Sequence, residues 1–254
     1  MLFTEDFSDI RQKAWCIHCG DGIANTVSNR DHVPTKSLLS KNARYNGADF
    51  DKGKGDPHDY LPQVEICQSC NSNFSADENY LLCVLHAVMA GTLYPDPKSQ
   101  KEAYDVLRSN RNVVRELRSS MDHQMWLVEE LNRFAVTPDL ERIGRVVLKN
   151  ARGHALHELG EPKMCQPDHL AFLPLEFLCD AKRAAFEDTD QPSLSGWPEV
   201  GSRMMQRVLT GDDMVSGWIE VEPGRYRYKL NWDYGITVKS VIWEYLATET
   251  RWFD

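Results

Sequence analysis

Two short cysteine pairs constrain this chain more than any other feature. The stretch "CIHC" carries Cys16 and Cys19, and "CQSC" carries Cys67 and Cys70. One C-x2-C knuckle presents two thiolates on a single turn, and two knuckles complete a tetrahedral four-cysteine shell with no open position. The alternative is a pair of disulfides or four unrelated core cysteines. The spacing favours structural zinc, which would clamp both ends of the 47 residues between the knuckles.

Charge and hydropathy limit the classes of protein to which the chain can belong. A net charge of −9 argues against a nonspecific coat on nucleic acid. Only residues 97–160 are basic, with 11 Lys and Arg against 9 Asp and Glu. The most apolar stretch, residues 80–94, is too short to span a bilayer and contains His86. The acidic start "MLFTEDFSDI" lacks the apolar segment of a secretory leader, so we expect a cytoplasmic protein without a membrane partner.

Asp31 and His32 are adjacent residues in the segment that the knuckles enclose. The stretch "TVSNRDHV" predicts a short strand, in which neighbouring side chains point to opposite faces. One of the two can then bind a metal ion while the other acts on a water beside it. Asn71, next to Cys70, offers a second oxygen ligand before a predicted helix whose N-cap is Ser75 or Asp77. The alternative is an ion-pair partner and a turn histidine.

The order C-x2-C, D-H-V-P, C-x2-C-N before a helix resembles the HNH endonucleases, which are ββα-metal nucleases, here with an added zinc clamp. The resemblance covers residues 14–90. It implies that His32 is the general base that activates water and that Asp31 and Asn71 bind a catalytic Mg²⁺ or Mn²⁺ ion. It also implies structural zinc on Cys16, Cys19, Cys67 and Cys70. The implied activity is metal-dependent hydrolysis of phosphodiester bonds, with DNA favoured over RNA as the substrate.

The chain departs from the HNH pattern where that family usually has its middle Asn. That position holds Pro62, followed by Gln63, so we expect Gln63 or a backbone carbonyl to orient His32. Asp77 and Glu78 are further candidates for a metal ligand or a partner of His32. Helix capping is the alternative for both of them.

Two sets of basic residues in the middle of the chain share one helical spacing, i, i+3, i+7 and i+10. Each set therefore predicts one basic helix face that can bind a phosphate backbone, or else a solvated face with i,i+4 ion pairs. The first set is Arg108, Arg111, Arg115 and Arg118, and the second is Arg142, Arg145, Lys149 and Arg152.

These patterns together predict an α+β protein: a zinc-clamped ββα module in residues 1–95, then helices at about 97–160 and a small antiparallel sheet at about 216–250. "GWIEVEPGRYRYKLNW" predicts a hairpin around Pro223 and Gly224, and "ITVKSVIWEYLA" predicts a third strand. The role of residues 96–254 stays open. Two other functions also stay open: a zinc-stabilised nucleic-acid-binding module without catalysis, and an RNA-cleaving effector of the same chemistry. A homodimer or a partner that delivers the substrate is compatible with either.

Overall fold

The computed structural model describes residues 15–23, 27–40, 61–121, 136–187, 197–211 and 214–253. This part of the chain contains six α-helices and two antiparallel sheets, which confirms the predicted α+β class. None of its helices combines the length and the hydropathy that crossing a bilayer requires.

The segment around the second knuckle forms two paired strands that lead directly into a helix. Strand β1 (Ser28–His32) pairs antiparallel with β2 (Gln63–Cys67), and helix α1 (Gln68–Ala90) begins at the next residue. The predicted strand is confirmed. The predicted helix start at Ser75 or Asp77 is wrong, because the knuckle residues themselves form the first turn of the helix.

The predicted helical segment contains three helices in its described part: α2 (Lys101–Ser109), α3 (Arg111–Met121) and α4 (Leu140–Leu159). Helix α2 ends at Asn110, whose φ of −112° and ψ of 50° leave the helical region. The Asn110 side chain donates to the Val106 carbonyl at 2.9 Å. This local bond competes with helix continuation, so the predicted single basic face is divided between two helices.

The second half of the chain forms a six-stranded antiparallel sheet with the strand order β3-β8-β7-β6-β5-β4. Two short helices, α5 (Asp180–Glu187) and α6 (Arg203–Thr210), lie between β3 and β4 in the chain. The strands are β3 (His169–Pro174), β4 (Met214–Val215), β5 (Trp218–Glu222), β6 (Tyr226–Asn231), β7 (Ile236–Ile242) and β8 (Leu246–Trp252).

The predicted hairpin is present as β5 and β6, but the predicted third strand is two strands. The chain reverses at Trp243 and Glu244, which have φ values of 57° and 47°. Neither residue type signals a turn. The Trp243 indole N–H donates to the Leu38 carbonyl at 2.7 Å, and the Arg225 guanidinium lies 4.4 Å from the centre of the Trp243 ring. Tertiary contacts therefore stabilise a turn that the local sequence does not predict.

A buried polar network joins α4 to the sheet and to α6. Glu158 is fully buried and accepts hydrogen bonds from Arg207 Nε at 2.8 Å and from the Tyr228 hydroxyl at 2.6 Å. The His154 ring stacks on Tyr228 at 3.7 Å between centroids, and His154 Nε2 lies 3.0 Å from the Tyr226 hydroxyl. Glu158, Arg207 and the two tyrosine hydroxyls thus pair their buried polar atoms within the network, which avoids most of the cost of burying them.

The chain packs into two compact units, one formed by residues 1–71 and 147–254 and the other by residues 72–146. The boundaries fall within α1 and within α4. Compact units describe packing, whereas the predicted modules 1–95 and 96–254 are segments of sequence, so that division stays a prediction.

Candidate metal centre

The four knuckle cysteines form one cluster. Their sulfur atoms all lie within 4.8 Å of one another, and the Sγ atoms of Cys19 and Cys67 are 3.7 Å apart. Zn–S bonds of about 2.3 Å to a tetrahedral ion separate sulfur atoms by about 3.8 Å. The cluster can therefore hold a metal ion such as zinc. No other group of three or more His, Cys, Asp or Glu side chains with metal-binding geometry occurs among the described residues.

The first knuckle is a tight reversal of the chain. Trp15 and Gly22 form a bridge across it, and the Cys16 N–H donates to the Asp21 carbonyl at 2.8 Å. Gly20 has a φ of 77°, a left-handed conformation that glycine adopts without steric cost, and its N–H donates to the Cys16 carbonyl at 2.8 Å. The sequence "CIHCGDG" thus folds locally into a turn that directs two thiols to one side.

The second knuckle lies where β2 passes into α1. Cys67 is the last residue of β2, and Cys70 is in the first turn of the helix. The Cys70 N–H donates to the Cys67 sulfur at 3.4 Å, and the Ser69 hydroxyl lies 3.1 Å from the same sulfur. Donors aimed at a sulfur atom stabilise its thiolate form, which is the form that binds metal.

Three of the four cysteine thiols have shifted pKa values, and the shifts differ in direction. Burial raises the pKa of Cys19 to about 12 and raises that of Cys70 as well. At Cys67, burial acts in the same direction, but hydrogen bonds from Ser69 and from the Cys70 N–H outweigh it and lower the pKa to about 6. One thiolate therefore forms readily, while its neighbours oppose further negative charge. A bound cation removes that opposition.

Asp31 and His32, the predicted catalytic residues on β1, lie at the end of this strand that is farther from Cys67. Asp31 and His32 are paired with Val64 and Gln63 on β2. Asp31 is buried, and its Oδ1 atom lies 2.8 Å from Lys149 Nζ of α4. An ammonium group at this distance holds the buried carboxylate in one orientation.

The ion pair between Asp31 and Lys149 belongs to a larger polar cluster. Lys149 Nζ also donates to the Thr35 hydroxyl at 3.0 Å. The Asn150 side-chain oxygen accepts from the Thr35 N–H at 2.9 Å and from the Thr35 hydroxyl at 3.1 Å. Lys149, Thr35 and Asn150 are all at most 3% exposed. The segment that follows β1 is thus fixed to α4 by buried hydrogen bonds.

His32 is half-buried and contacts the residue that stands next to the missing Asn of the HNH pattern. The Gln63 amide nitrogen lies 3.0 Å from His32 Nε2. With the amide in this orientation, Gln63 donates and the His32 proton resides on Nδ1. Gln63 therefore sets the tautomer and the orientation of the imidazole, a role that the sequence assigned either to this residue or to a backbone carbonyl.

The remaining predicted ligands all lie on α1. Asn71 is half-buried in the first turn, directly after Cys70. Asp77 is buried in the helix interior, and its two carboxylate oxygens accept hydrogen bonds from Arg142 Nε at 2.9 Å and Arg145 Nε at 2.6 Å. These bonds outweigh the effect of burial and lower the pKa of Asp77. Asp77 is thus engaged in ion pairs within its own unit, and Glu78 lies beside it, half-buried.

The inner face of α4 supports both the first knuckle and β1. Arg152 donates to the carbonyls of His18, Met164 and Cys165 at 2.9, 3.0 and 2.8 Å. Burial, together with the charges of Arg152 and Lys149, lowers the pKa of His18 to about 3, so this imidazole is neutral at pH 7. A Cβ atom on Gly153 would lie 2.6 Å from a methyl carbon of Val33, the residue after His32. Only glycine allows α4 to approach β1 this closely.

The role of Lys149 was missed by the sequence reasoning, which placed this residue on a helix face that either binds phosphate or is solvated. The available signal is its surroundings: Lys149, Asn150 and Arg152 are interspersed with apolar residues in "VVLKNARGHAL". Polar side chains that interrupt an apolar helix face are often buried and paired.

Comparisons of the chain with models of protein families, with curated proteins and with solved structures found no match. The assignment of a function therefore depends on the residues of this chain and on their geometry.

Proposed function

We propose that this protein is a divalent-metal-dependent endonuclease of the HNH type, with DNA as its substrate. In this proposal His32 is the general base, and Asp31 and Asn71 bind the catalytic Mg²⁺ or Mn²⁺ ion. Cys16, Cys19, Cys67 and Cys70 hold structural zinc.

The observation that carries the proposal is the order of elements around the cysteine cluster. Two antiparallel strands lead without a linker into a helix, and the four cysteines join the start of this segment to the junction of strand and helix. Asp31 and His32 lie on the first strand, and Asn71 lies in the first turn of the helix. This is the order of elements and residues that the resemblance to HNH nucleases implies.

The side chains fit the roles that the proposal gives them. The Gln63 amide positions the His32 ring through Nε2, the nitrogen without the proton, and Nε2 becomes the general base when the attacking water takes the place of the Gln63 amide. Asp31 is held in place by Lys149 and provides an anionic oxygen ligand, while Asn71 provides a neutral one. Both are ligand types that Mg²⁺ accepts, with water completing its shell. The ion would stabilise charge on the scissile phosphate and on the leaving oxygen.

One observation favours a second candidate, a nucleic-acid-binding module without catalysis. Both proposed catalytic residues on β1 already have partners within the chain, Asp31 with Lys149 and His32 with Gln63. If these contacts persist in the presence of substrate and metal, Asp31 and His32 stabilise the hairpin and do no chemistry.

The nuclease proposal is tested with supercoiled plasmid incubated with zinc-loaded protein and either Mg²⁺ or Mn²⁺. We expect nicking that depends on the added metal, and a rate lower by about 10²–10⁴-fold in His32→Ala, since a general base contributes roughly that factor. His169→Ala is the matched control, because His169 is an exposed histidine on β3, outside the site.

The outcomes of this assay separate the two candidates. Nicking by the control but not by His32→Ala supports catalysis. If the folded, zinc-loaded wild type cleaves neither plasmid nor a matched panel of RNAs but binds nucleic acid, the binding module replaces the nuclease. Cleavage confined to RNA keeps the chemistry and changes the substrate.

The structural role of zinc is tested by Cys16→Ser, with Cys179→Ser as the control. Cys179 is exposed and is not part of the cluster. We expect one zinc ion per chain in the wild type and in the control, and a lower melting temperature with little zinc in Cys16→Ser, because zinc binding contributes to folding free energy. A Cys16→Ser protein that melts like the wild type would contradict a structural zinc site.

A further inference from the structure

A groove on the unit formed by residues 72–146 is not used by the proposed nuclease site. It has a volume of about 410 Å³, within the range of about 300–1,000 Å³ that ligand sites occupy. Its floor includes the buried side chains of Leu93 and Leu107. All four arginines of the first basic set line it: Arg108, Arg111, Arg115 and Arg118.

The backbone explains why four arginines converge here although the helix is interrupted at Asn110. Arg111, Arg115 and Arg118 have the spacing i, i+4 and i+7, so they lie on one face of α3. Arg108 is in the last turn of α2, just before the interruption, and reaches the same groove. The four side chains are all exposed.

These arginines are not neutralised within the part of the chain that the structure describes, where none of them forms an ion pair with a carboxylate. Three of them contact neutral groups: Arg108 the Tyr104 hydroxyl at 3.2 Å, Arg115 Asn112 Oδ1 at 3.4 Å, and Arg118 the Tyr94 hydroxyl at 3.4 Å.

Glu116, the acidic residue of α3, pairs with a residue of α4 and not with these arginines. Glu116 lies 3.3 Å from Arg142 of α4 and pairs with it. The groove therefore carries four guanidinium groups around an apolar floor, an arrangement that calls for an anionic ligand with an apolar part.

Two tyrosines determine which kind of anion fits. Tyr94 is 67% exposed at the groove, and the Arg108 guanidinium lies 5.7 Å from the centre of the Tyr104 ring. Arginines therefore contact both tyrosines at the groove, where the aromatic rings can accept a flat ligand. Exposed aromatic rings beside a cationic track are the features with which proteins bind unpaired bases and their phosphates. A duplex hides its base faces and offers mainly phosphates, so it would leave the apolar floor unused.

We propose that this groove binds single-stranded nucleic acid, with the arginines on its phosphates and with bases against the tyrosines and the apolar floor. As the substrate-holding part of a nuclease, the groove rests on the proposed function. As a binding site, it is measured without hydrolysis.

The test uses a fluorescein-labelled single-stranded DNA oligonucleotide and zinc-loaded full-length protein, without added Mg²⁺ or Mn²⁺. Fluorescence anisotropy gives the Kd as a function of salt concentration. For Arg111→Gln/Arg115→Gln we expect at least a tenfold weaker Kd, and a slope of log Kd against log salt lower by about 1.4, since each contact to a single-strand phosphate contributes about 0.7. Tyr104→Ala should weaken binding severalfold and leave the salt slope unchanged.

The matched control is Lys182→Gln/Arg183→Gln, which removes the same charge from two exposed residues of α5, outside this unit. It should bind like the wild type. Equal loss in this control, wild-type affinity in the groove variants, or no binding by the wild type overturns the proposal. A duplex of the same sequence or an acidic phosphopeptide that binds the groove more tightly than the single strand also overturns it.

The two proposals fail separately in these assays. Groove-dependent binding without cleavage of either plasmid or RNA leaves the groove proposal standing and removes the nuclease. Nicking without single-strand binding leaves the nuclease proposal standing and removes the groove proposal.

Discussion

The two basic sets of this protein have the same spacing in the sequence and opposite surroundings in the structure. On α2 and α3, the four arginines are exposed and line a groove. On α4, every basic residue is bonded to groups of the protein itself: Arg142 and Arg145 to Asp77, Lys149 to Asp31, and Arg152 to three backbone carbonyls. Periodicity determines which residues share a helix face, but not what that face meets.

This difference shows where a basic residue serves folding and where it is available to a ligand. A buried cation that satisfies a carboxylate or carbonyls cannot turn to a phosphate without leaving those groups unpaired, at considerable cost. An exposed arginine that bonds only to neutral groups can exchange them for a phosphate. Residues at equivalent positions of the two sets therefore provide matched tests.

The largest contrast is expected at the third position of each set, Lys149 and Arg115. Lys149→Met leaves the Asp31 carboxylate buried without its cation, so the free energy of unfolding should fall by about 3–5 kcal/mol. Arg115→Met should change it by less than about 0.5 kcal/mol, because Arg115 is exposed. Urea unfolding followed by circular dichroism measures both. Restoration of part of the loss by Asp31→Asn in the Lys149→Met background would identify the ion pair as the cause, and equal small effects would contradict it.

The last positions, Arg152 and Arg118, should differ by somewhat less. Arg152→Met removes charged donors from the carbonyls of His18, Met164 and Cys165, with an expected cost of about 2–3 kcal/mol. Because one of these carbonyls belongs to the first knuckle, zinc should also dissociate faster. Arg118→Met removes one long contact to Tyr94 and should be nearly neutral. Zinc release to a chromogenic chelator and urea unfolding check both effects. Equal rates of zinc release from the two variants would show that Arg152 does not stabilise the metal site.

Of the two basic helix faces, only that of α4 should show a pH effect from a histidine, since α2 and α3 carry none. Burial lowers the pKa of His157 to about 4. The folded pKa lies below the unfolded value of about 6.5, so His157 costs nothing above pH 6.5 and destabilises the fold as the pH falls towards 4. The expected loss at pH 5 is about 2 kcal/mol.

The variant His157→Leu should lose about 2 kcal/mol less than the wild type between pH 7.5 and pH 5, while the buried His18 and His154 keep their own contributions to the profile. The comparison with wild type at each pH cancels the contribution of the zinc thiolates. A profile parallel to that of the wild type would mean that His157 does not titrate in this range.

The smallest contrast is expected at the second positions, Arg145 and Arg111. Arg145 is half-exposed and shares Asp77 with Arg142, so Arg145→Gln should cost about 0.5–1 kcal/mol, and Arg111→Gln less. The cost at Arg145 should shrink in 0.5 M salt, which screens an exposed pair. A salt-independent loss would indicate packing as the source.

Local patterns in the sequence predicted much of the fold. The knuckles predicted a cysteine cluster, and local residue patterns predicted β1 and the hairpin of β5 and β6. These features depend on neighbouring residues, whose geometry is short-range. Strand β3 and the turn at Trp243 were not predicted, because β3 pairs with a distant strand and the turn is held by a bond to Leu38.

At the candidate site, the sequence by itself determined the residue types and their order: four thiols in two knuckles, Asp31 and His32 side by side on one strand, and Asn71 next to Cys70. Covalent neighbours and strand alternation are sufficient for that. Only the tertiary structure decided the partners: Lys149 for Asp31, Gln63 for His32, and two arginines for Asp77. It also decided which basic set bonds to groups of the protein itself and which lines a groove. The physical reason is that burial and pairing depend on which surfaces meet. Here α4 packs against the end of β1 through residues that are far apart in the chain, such as Gly153 and Val33.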